Sequence, residues 1–331
     1  MYRTIECRVM TKQILGVALC VWATTAAGQN TGDFPQRPLR MVVPFPPGGS
    51  TDIVGRIVAM KLTESFGQQV IVDNRAGAGG NVGIDVVAKA SPDGHTILMS
   101  SVTTLAIGVS LYSKLPYDVN RDLAPVALVG SVPFVLLVNS ALPAKSVRDL
   151  IALAKAKPGQ LNFGSAGTGT SAHFASELFK SLAGIDIVHV PYKGNAPAIA
   201  DLIGGHIQMM FDFLPSAMPH IKSGKVRALA VSPTRRASTL PEVPTMSESG
   251  VPAYDMLSYF GVLVPGRTPV PVVSRLNAEI NRMASMPDVR ESYARQGIDP
   301  ATQTPAQFAT YLQSEIALWA KIVKQTGVKA E

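Results

Sequence analysis

The segment LNFGSAGTGTSAH, residues Leu161 to His173, runs a short apolar β-type stretch into a glycine-rich turn and then into a helical pattern. Residues Leu39 to Asp52, LRMVVPFPPGGSTD, use the same device earlier in the chain. Glycines let a backbone bend tightly and approach a ligand, and the helix that follows offers unpaired N–H groups at the positive end of its dipole. One such turn is an ordinary strand-to-helix connection. Two of them, opening two halves of one chain, predict an α/β protein of two lobes with a ligand held between them.

Outward from these segments, β-type runs read Leu39 to Phe45, Gln69 to Asp73, Thr96 to Ser100, Val126 to Val138, Leu161 to Gly164, Ile187 to Val190, Ile207 to Phe211, Val226 to Val231 and Tyr259 to Val264. Helix-length segments lie between most of them. This alternation implies parallel βαβ units with ligand sites beyond the carboxyl ends of the strands. Val126 to Val138, interrupted by Gly130 and Pro133, is long enough to cross from one lobe to the other, and Tyr259 to Val264 to cross back. The expected boundaries are residues 37–125 and 260–331 for lobe 1 and 126–259 for lobe 2. Pro271 to Ser285, Asp288 to Gln296 and Pro305 to Gln325 are helical in pattern. In the last, Phe308, Tyr311, Leu312, Ile316, Trp319, Ile322 and Val323 form an apolar stripe, read as a helix docked on the first lobe.

The 331 residues suit two lobes, and 47% apolar against 16% charged residues is enough apolar material to exclude disorder. The formal charge of +7 invites a nucleic-acid reading until the charges are located. Arg3, Arg8, Lys12 and Glu6 lie at the extreme N-terminus, and the remainder holds 27 basic and 22 acidic residues. That excess is scattered, with no Lys/Arg run interleaved with aromatics, so no nucleic-acid partner is expected. Behind the basic N-terminus come a short apolar run, Ile14 to Ala23, and the small residues Ala26-Ala27-Gly28, the pattern of a cleaved signal peptide over residues 1–28. The run is about half the length of about twenty residues that a membrane span needs. Cys20 stands where a lipoprotein cysteine would, but Leu19 precedes it in place of a small residue. Cys7 and Cys20 are the only cysteines, so the exported chain has no disulfide, thiolate metal site or cysteine nucleophile. The expected location is the periplasm.

The first turn offers Gly48 and Gly49 with Ser50 or Thr51 as helix N-cap candidates. The second offers Gly164, Gly167 and Gly169 with the hydroxyls of Ser165, Thr168, Thr170 and Ser171. Neither turn contains Lys or Arg, so an oxyanion would be held by amides, hydroxyls and helix dipoles, which suits a carboxylate better than a polyphosphate. Asp212 follows the apolar run Ile207 to Phe211 at its carboxyl end, the ligand side of an α/β lobe. It is also a candidate N-cap for the segment beginning at Pro215, and the two roles can coexist. Three enzyme readings compete. Gly167-x-Gly169-x-x-Ala172 fits a dinucleotide fingerprint, but Val190-Pro191-Tyr192-Lys193 lacks the acid such a site requires. Gly48 to Asp52 approaches a G-x-S-x-G nucleophile elbow, and Asp212 with His220 would complete a Ser-Asp-His order across a short gap. An exported hydrolase using Ser50 is therefore the alternative from another class. The phosphate-binding G-x-x-x-x-G-K-[ST] is absent, and the five histidines are isolated in sequence, so no metal and no cofactor are expected. His173, just inside a helix, is expected to pack or hydrogen-bond.

Several ordered blocks carry a resemblance: VPFPPGGSTD (Val43 to Asp52), VDNRAGAGGNVG (Val72 to Gly83), SPDGHTIL (Ser91 to Leu98), LPYDVNRDLAPVALV (Leu115 to Val129), NFGSAGTGTSAH (Asn162 to His173), VPYKGNAPAIADLIGG (Val190 to Gly205), the pair Phe211-Asp212, LAVS (Leu229 to Ser232) and LPEVPTMSESG (Leu240 to Gly250). Through them the chain resembles the Bug family of periplasmic solute-binding receptors, the tripartite tricarboxylate transporter substrate-binding (TctC-like) family. The resemblance implies a two-lobed type II periplasmic binding protein fold that closes on its ligand. It implies that Phe45, Gly48, Gly49, Ser50, Thr51 and Asp52 in the first loop, and Ser165, Gly167, Thr168, Gly169, Thr170 and Ser171 in the second, clamp a carboxylate largely through backbone amides. Asp212 would face the other end of the ligand, and Ser100, Ser101 and Tyr192 are further cleft candidates. Two positions depart from the family pattern. Phe45-Pro46-Pro47 stands before the glycines where a small residue is usual, and Asn195 follows Lys193-Gly194 where Gly or Ser is common. Pro47 removes one amide donor. The expected protein is a monomeric, non-enzymatic receptor that captures a small carboxylate and presents it to the membrane subunits of a tripartite tricarboxylate transporter. A ligand sensor is the alternative within the class.

Overall fold

The computed structural model describes residues 34–232, 235–326 and 328. The leader and both cysteines lie outside the described residues. The strands are β1 (Leu39–Val43), β2 (Val70–Asn74), β3 (Thr96–Ser101), β4 (Leu123–Asn139), β5 (Asn162–Ser165), β6 (Val188–Pro191), β7 (Met209–Phe213), β8 (Val226–Val231), β9 (Leu257–Pro265) and β10 (Asp299–Pro300). In the first half the helices are α1 (Ser50–Phe66), α2 (Asn81–Ala88), α3 (Gly108–Leu111) and α4 (Val119–Asp122). Then come α5 (Val147–Ala156), α6 (Ser171–Ala183), α7 (Asn195–Gly204) and α8 (Leu214–Lys222). Helices α9 (Val270–Met283), α10 (Pro287–Gln296) and α11 (Pro305–Thr326) end the chain.

The strand order β2-β1-β3-β9-β4-β7-β5-β6 contains the same arrangement twice. In the first half β1 is central, with β2 and β3 parallel to it on either side and β9 antiparallel to β3. In the second, β5 is central between parallel β6 and β7, and β4 runs antiparallel to β7. The central strand of each half is where the strand order reverses, so the loop after it opens into a crevice at the carboxyl edge. Those two loops are the two glycine-rich turns. The expectation of parallel βαβ units therefore holds for the inner strands but not for β4 and β9, which pair antiparallel.

Strand β4 belongs to both halves. Its segment from Leu123 to Pro133 lies on β9, and Phe134 to Asn139 lie on β7 and β8. Gly130 and Pro133 do not end it: register shifts fall between Pro125 and Ala127 and between Leu128 and Gly130, and Pro133 stays paired with Leu257. Met41, Val42 and Val43 of β1 are fully buried, as expected for a parallel strand covered on both faces. The apolar stripe of α11 buries Phe308, Leu312 and Trp319. Phe308 and Tyr311 pack edge-on against Tyr259 of β9 in the first half. Trp319 packs edge-on against Phe174 of α6, centroids 5.9 Å apart, so this helix reaches the second half as well as the first. No helix among the described residues is long and apolar enough to cross a membrane.

Candidate functional site

The first loop is held in shape by an acid and an amide. Asp52, in the first turn of α1, is buried. Its carboxylate accepts from the Gly48 N–H (2.9 Å), from Arg56 Nε (3.0 Å) and from Asn74 Nδ2 (3.0 Å). Asn74, at the end of β2, also donates to the Phe45 carbonyl at 2.9 Å. Burial by itself would raise the Asp52 carboxyl, but the Arg56 guanidinium and the Gly48 and Asn74 donors outweigh it and hold the group below its ordinary range. The helix N-cap is Gly49 rather than Ser50 or Thr51, both of which already have helical backbone. Glycine has no side chain with which to cap, so the amides of Ser50, Thr51 and Asp52 donate to no protein acceptor among the described residues.

The second loop is built on a stacked pair of histidines. Ser165 Oγ contacts the Gly167 carbonyl (3.0 Å) and His189 Nε2 (2.7 Å), and accepts from the Gly167 N–H. The Gly169 N–H donates to His173 Nδ1 at 3.1 Å, which requires that nitrogen to be unprotonated. The two imidazoles lie face to face, centroids 3.9 Å apart and 10° from parallel. Burial pushes His173 down to about 4. It pushes His189 down to about 3, with the neighbouring ring adding to the effect. Both are neutral near pH 7 and act as loop supports, not as cations. Gly169 has φ +77°, and a Cβ there would lie 2.0 Å from Leu111 Cδ2, so a side chain is excluded on both counts. The Thr170 hydroxyl donates to the Gly167 carbonyl rather than capping α6, and the amides of Ala172 and His173 have no protein acceptor among the described residues.

Two polar bridges join the halves across the crevice. Thr103, just after β3, contacts Ser171 Oγ at 2.8 Å and accepts from its N–H. Ser50 Oγ meets Ser216 Oγ at 2.7 Å and accepts from the Ser216 N–H. Ser216 in turn donates to Asp212 Oδ2 at 2.7 Å, while Asp212 Oδ1 accepts from the Phe213 N–H (2.8 Å) and from Asn195 Nδ2. Asp212 lies inside β7, which extends beyond the expected run, and the N-cap of α8 is Phe213, so Asp212 is not that cap. Burial drives its carboxyl up to about 7 against the opposing pull of its three donors.

Between the bridges lies a cavity lined by residues of both halves, with about 40 Å³ open to the centre of a water-sized sphere. Of the expected site residues, Phe45, Gly49, Ser50, Thr51, Ser101, Thr170, Ser171 and Asp212 line it. Gly48, Asp52, Ser165, Gly167 and Gly169 belong to the loop supports behind it, and Thr168 is half-buried on the second loop. Ser100 is buried with its hydroxyl on Thr104, and the Tyr192 hydroxyl is engaged by Asp201 at 2.6 Å. The lining also includes Pro46 and Asn195, both at positions that depart from the family pattern, and Thr103, Phe134, Ala166, Ala172 and Phe213, which are not among the expected site residues. Phe134 and Phe213 come together because β4 and β7 pair in register there, a pairing with no signature within either strand. Among the described residues no Lys, Arg or His lines the cavity. The arrangement offers an anion two helix N-termini, one from each half, with hydroxyls between them.

Residues 54–328 match the family described as "Tripartite tricarboxylate transporter family receptor". The chain is 42% identical to protein BugT of Bordetella pertussis over 96% of its own length and 97% of that protein's. Among solved structures it resembles Rpa4515 of R. palustris with adipate, at 35% identity and a TM-score of 0.87, covering 89% of this chain and 99% of that one. It also resembles MatC of Rhodopseudomonas palustris with bound malate, at 33% identity and a TM-score of 0.83, covering 88% and 100%.

Proposed function

The chain belongs to the tripartite tricarboxylate transporter receptor family, and we propose that it captures a small carboxylate-bearing metabolite between its lobes in the periplasm and presents it to the membrane subunits of such a transporter. The observation that carries this reading is the meeting of two uncapped helix N-termini, α1 from one half and α6 from the other, at one cavity without a cationic side chain. Amide donors from both lobes would grip one carboxylate at once, so ligand would favour the arrangement in which the lobes touch. The adipate and malate complexes of the two R. palustris proteins support the choice of a carboxylate.

In this reading the cavity-lining positions Phe45, Gly49, Ser50, Thr51, Ser101, Thr170, Ser171 and Asp212 touch the ligand. Gly48, Asp52, Ser165, Gly167 and Gly169 hold the loops. Residues 37–125 and 260–331 form lobe 1, residues 126–259 form lobe 2, and residues 1–28 are a leader removed on export. In this reading the protein is a non-enzymatic receptor, and the Ser50 hydroxyl is engaged by Ser216. A thermal-shift screen of the purified protein against mono-, di- and tricarboxylates tests the reading. It is expected to show stabilisation by at least one of them. Stabilisation by neutral or cationic solutes alone would reject it, and cell fractionation of the tagged full chain tests export.

A further inference from the structure

Resting on the reading of the cavity as a carboxylate site, we propose that its ligand is a compact monocarboxylate whose body is uncharged and apolar, either aromatic or short and branched. A second ligand carboxylate would need a second set of donors. The hydroxyls nearest Asp212 are already committed, Ser50 to Ser216 and Ser216 to Asp212, and one of the two Asn195 amide hydrogens is engaged by Asp212. Among the described residues no Lys, Arg or His lines the cavity, and the titratable group in its wall is itself an acid. A second ligand carboxylate there would lie beside the Asp212 carboxyl in a space lined by no countercharge among the described residues.

The rest of the wall is apolar: Phe45, Pro46, Phe134, Ala166, Ala172 and Phe213. The Phe134 and Phe213 rings meet at 4.7 Å with their planes 54° apart, a surface suited to a planar ring or a branched alkyl group. The space open between the halves is narrow, about 40 Å³ to the centre of a water-sized sphere, which favours a compact body over a long chain.

The test is isothermal titration of the purified protein with benzoate and 2-methylpropanoate against malate, adipate and glutamate at one ionic strength. Benzoate or 2-methylpropanoate is expected to bind at least about tenfold tighter than any of the other three. Phe45→Ala, at a half-buried position, is expected to weaken that acid by about tenfold, and Asn195→Arg to shift the ratio toward adipate or malate by about tenfold. Tightest binding of malate, adipate or glutamate by the wild type would overturn the ligand class and leave the carboxylate receptor standing. Binding of none of the five, in a protein that neutral or cationic solutes stabilise, would remove the receptor reading and this inference with it.

Discussion

Replacing Asp212 by asparagine removes the titratable group of the cavity wall while keeping its shape. In the folded protein the carboxyl is 1% exposed and its pKa is pushed from 3.8 up to about 7. A group raised on folding contributes stability that is fully present below its unfolded pKa and lost as pH rises through the folded one. Here the loss runs from pH 3.8 to about 7. At about 1.36 kcal/mol per pH unit it comes to about 4 kcal/mol. Asparagine can reproduce the protonated acid. Its oxygen accepts from Phe213 N–H and Asn195, and its NH₂ donates to Ser216 Oγ, whose hydroxyl turns to the Phe213 carbonyl 3.1 Å away. Urea unfolding followed by circular dichroism, at a series of pH values, compares the two proteins on a common background. They are expected to be equally stable near pH 4, with Asp212→Asn ahead by about 4 kcal/mol at about pH 8. A difference that does not change with pH, or a variant that is weaker throughout, would refute the account.

The histidine pair acts in the opposite direction. His173 and His189 are depressed to about 4 and about 3, so their contribution is present above 6.5 and lost as pH falls toward those values. His189→Gln, which keeps a partner for Ser165, is expected to make the acid limb of the unfolding curve shallower; an unchanged limb would exclude the pair as its cause. Gly194 has φ +119°, and a Cβ there would lie 2.8 Å from Pro46 Cγ in the opposite half. Gly194→Ala is therefore expected to hold the lobes apart, weakening ligand affinity by about tenfold and enlarging the radius of gyration in X-ray scattering. Trp319→Ala empties the contact between α11 and Phe174 and is expected to cost about 3 kcal/mol in urea unfolding, while a loss below about 1 kcal/mol would mean that α11 does not fasten the second half.

The inner strands and the two glycine-rich turns were legible because local rules govern them. Apolar runs such as Met41 to Val43 and the turn at Gly167 to Gly169 need no partner to be recognised. The N-cap was misplaced at Ser50 or Thr51 because hydroxyl residues are the usual caps; here Gly49 takes the position and leaves the first-turn amides free for a ligand. Asp212 was found by its place at the end of an apolar run, yet its bonds to Ser216 and Asn195 depend on residues brought in from α8 and α7. Of the aromatic wall only Phe45 is legible in the sequence. Phe134 lies within a long apolar strand where every residue reads as core, and only its pairing with Phe213 turns it toward the cavity. The histidines looked isolated for the same reason: His173 and His189 are separated in sequence by the whole of an α–β connection and meet only when β5 and β6 pair.

The bridges that join the halves, Ser50 with Ser216 and Thr103 with Ser171, are hydroxyl contacts without formal charge. Charged contacts are screened by dissolved ions over about 8 to 10 Å at physiological salt, whereas dipolar contacts of this kind are almost indifferent to it. The two contacts that cross the crevice are therefore expected to be nearly independent of ionic strength, while the exposed Arg235–Asp299 ion pair, which also links the halves, weakens as salt rises.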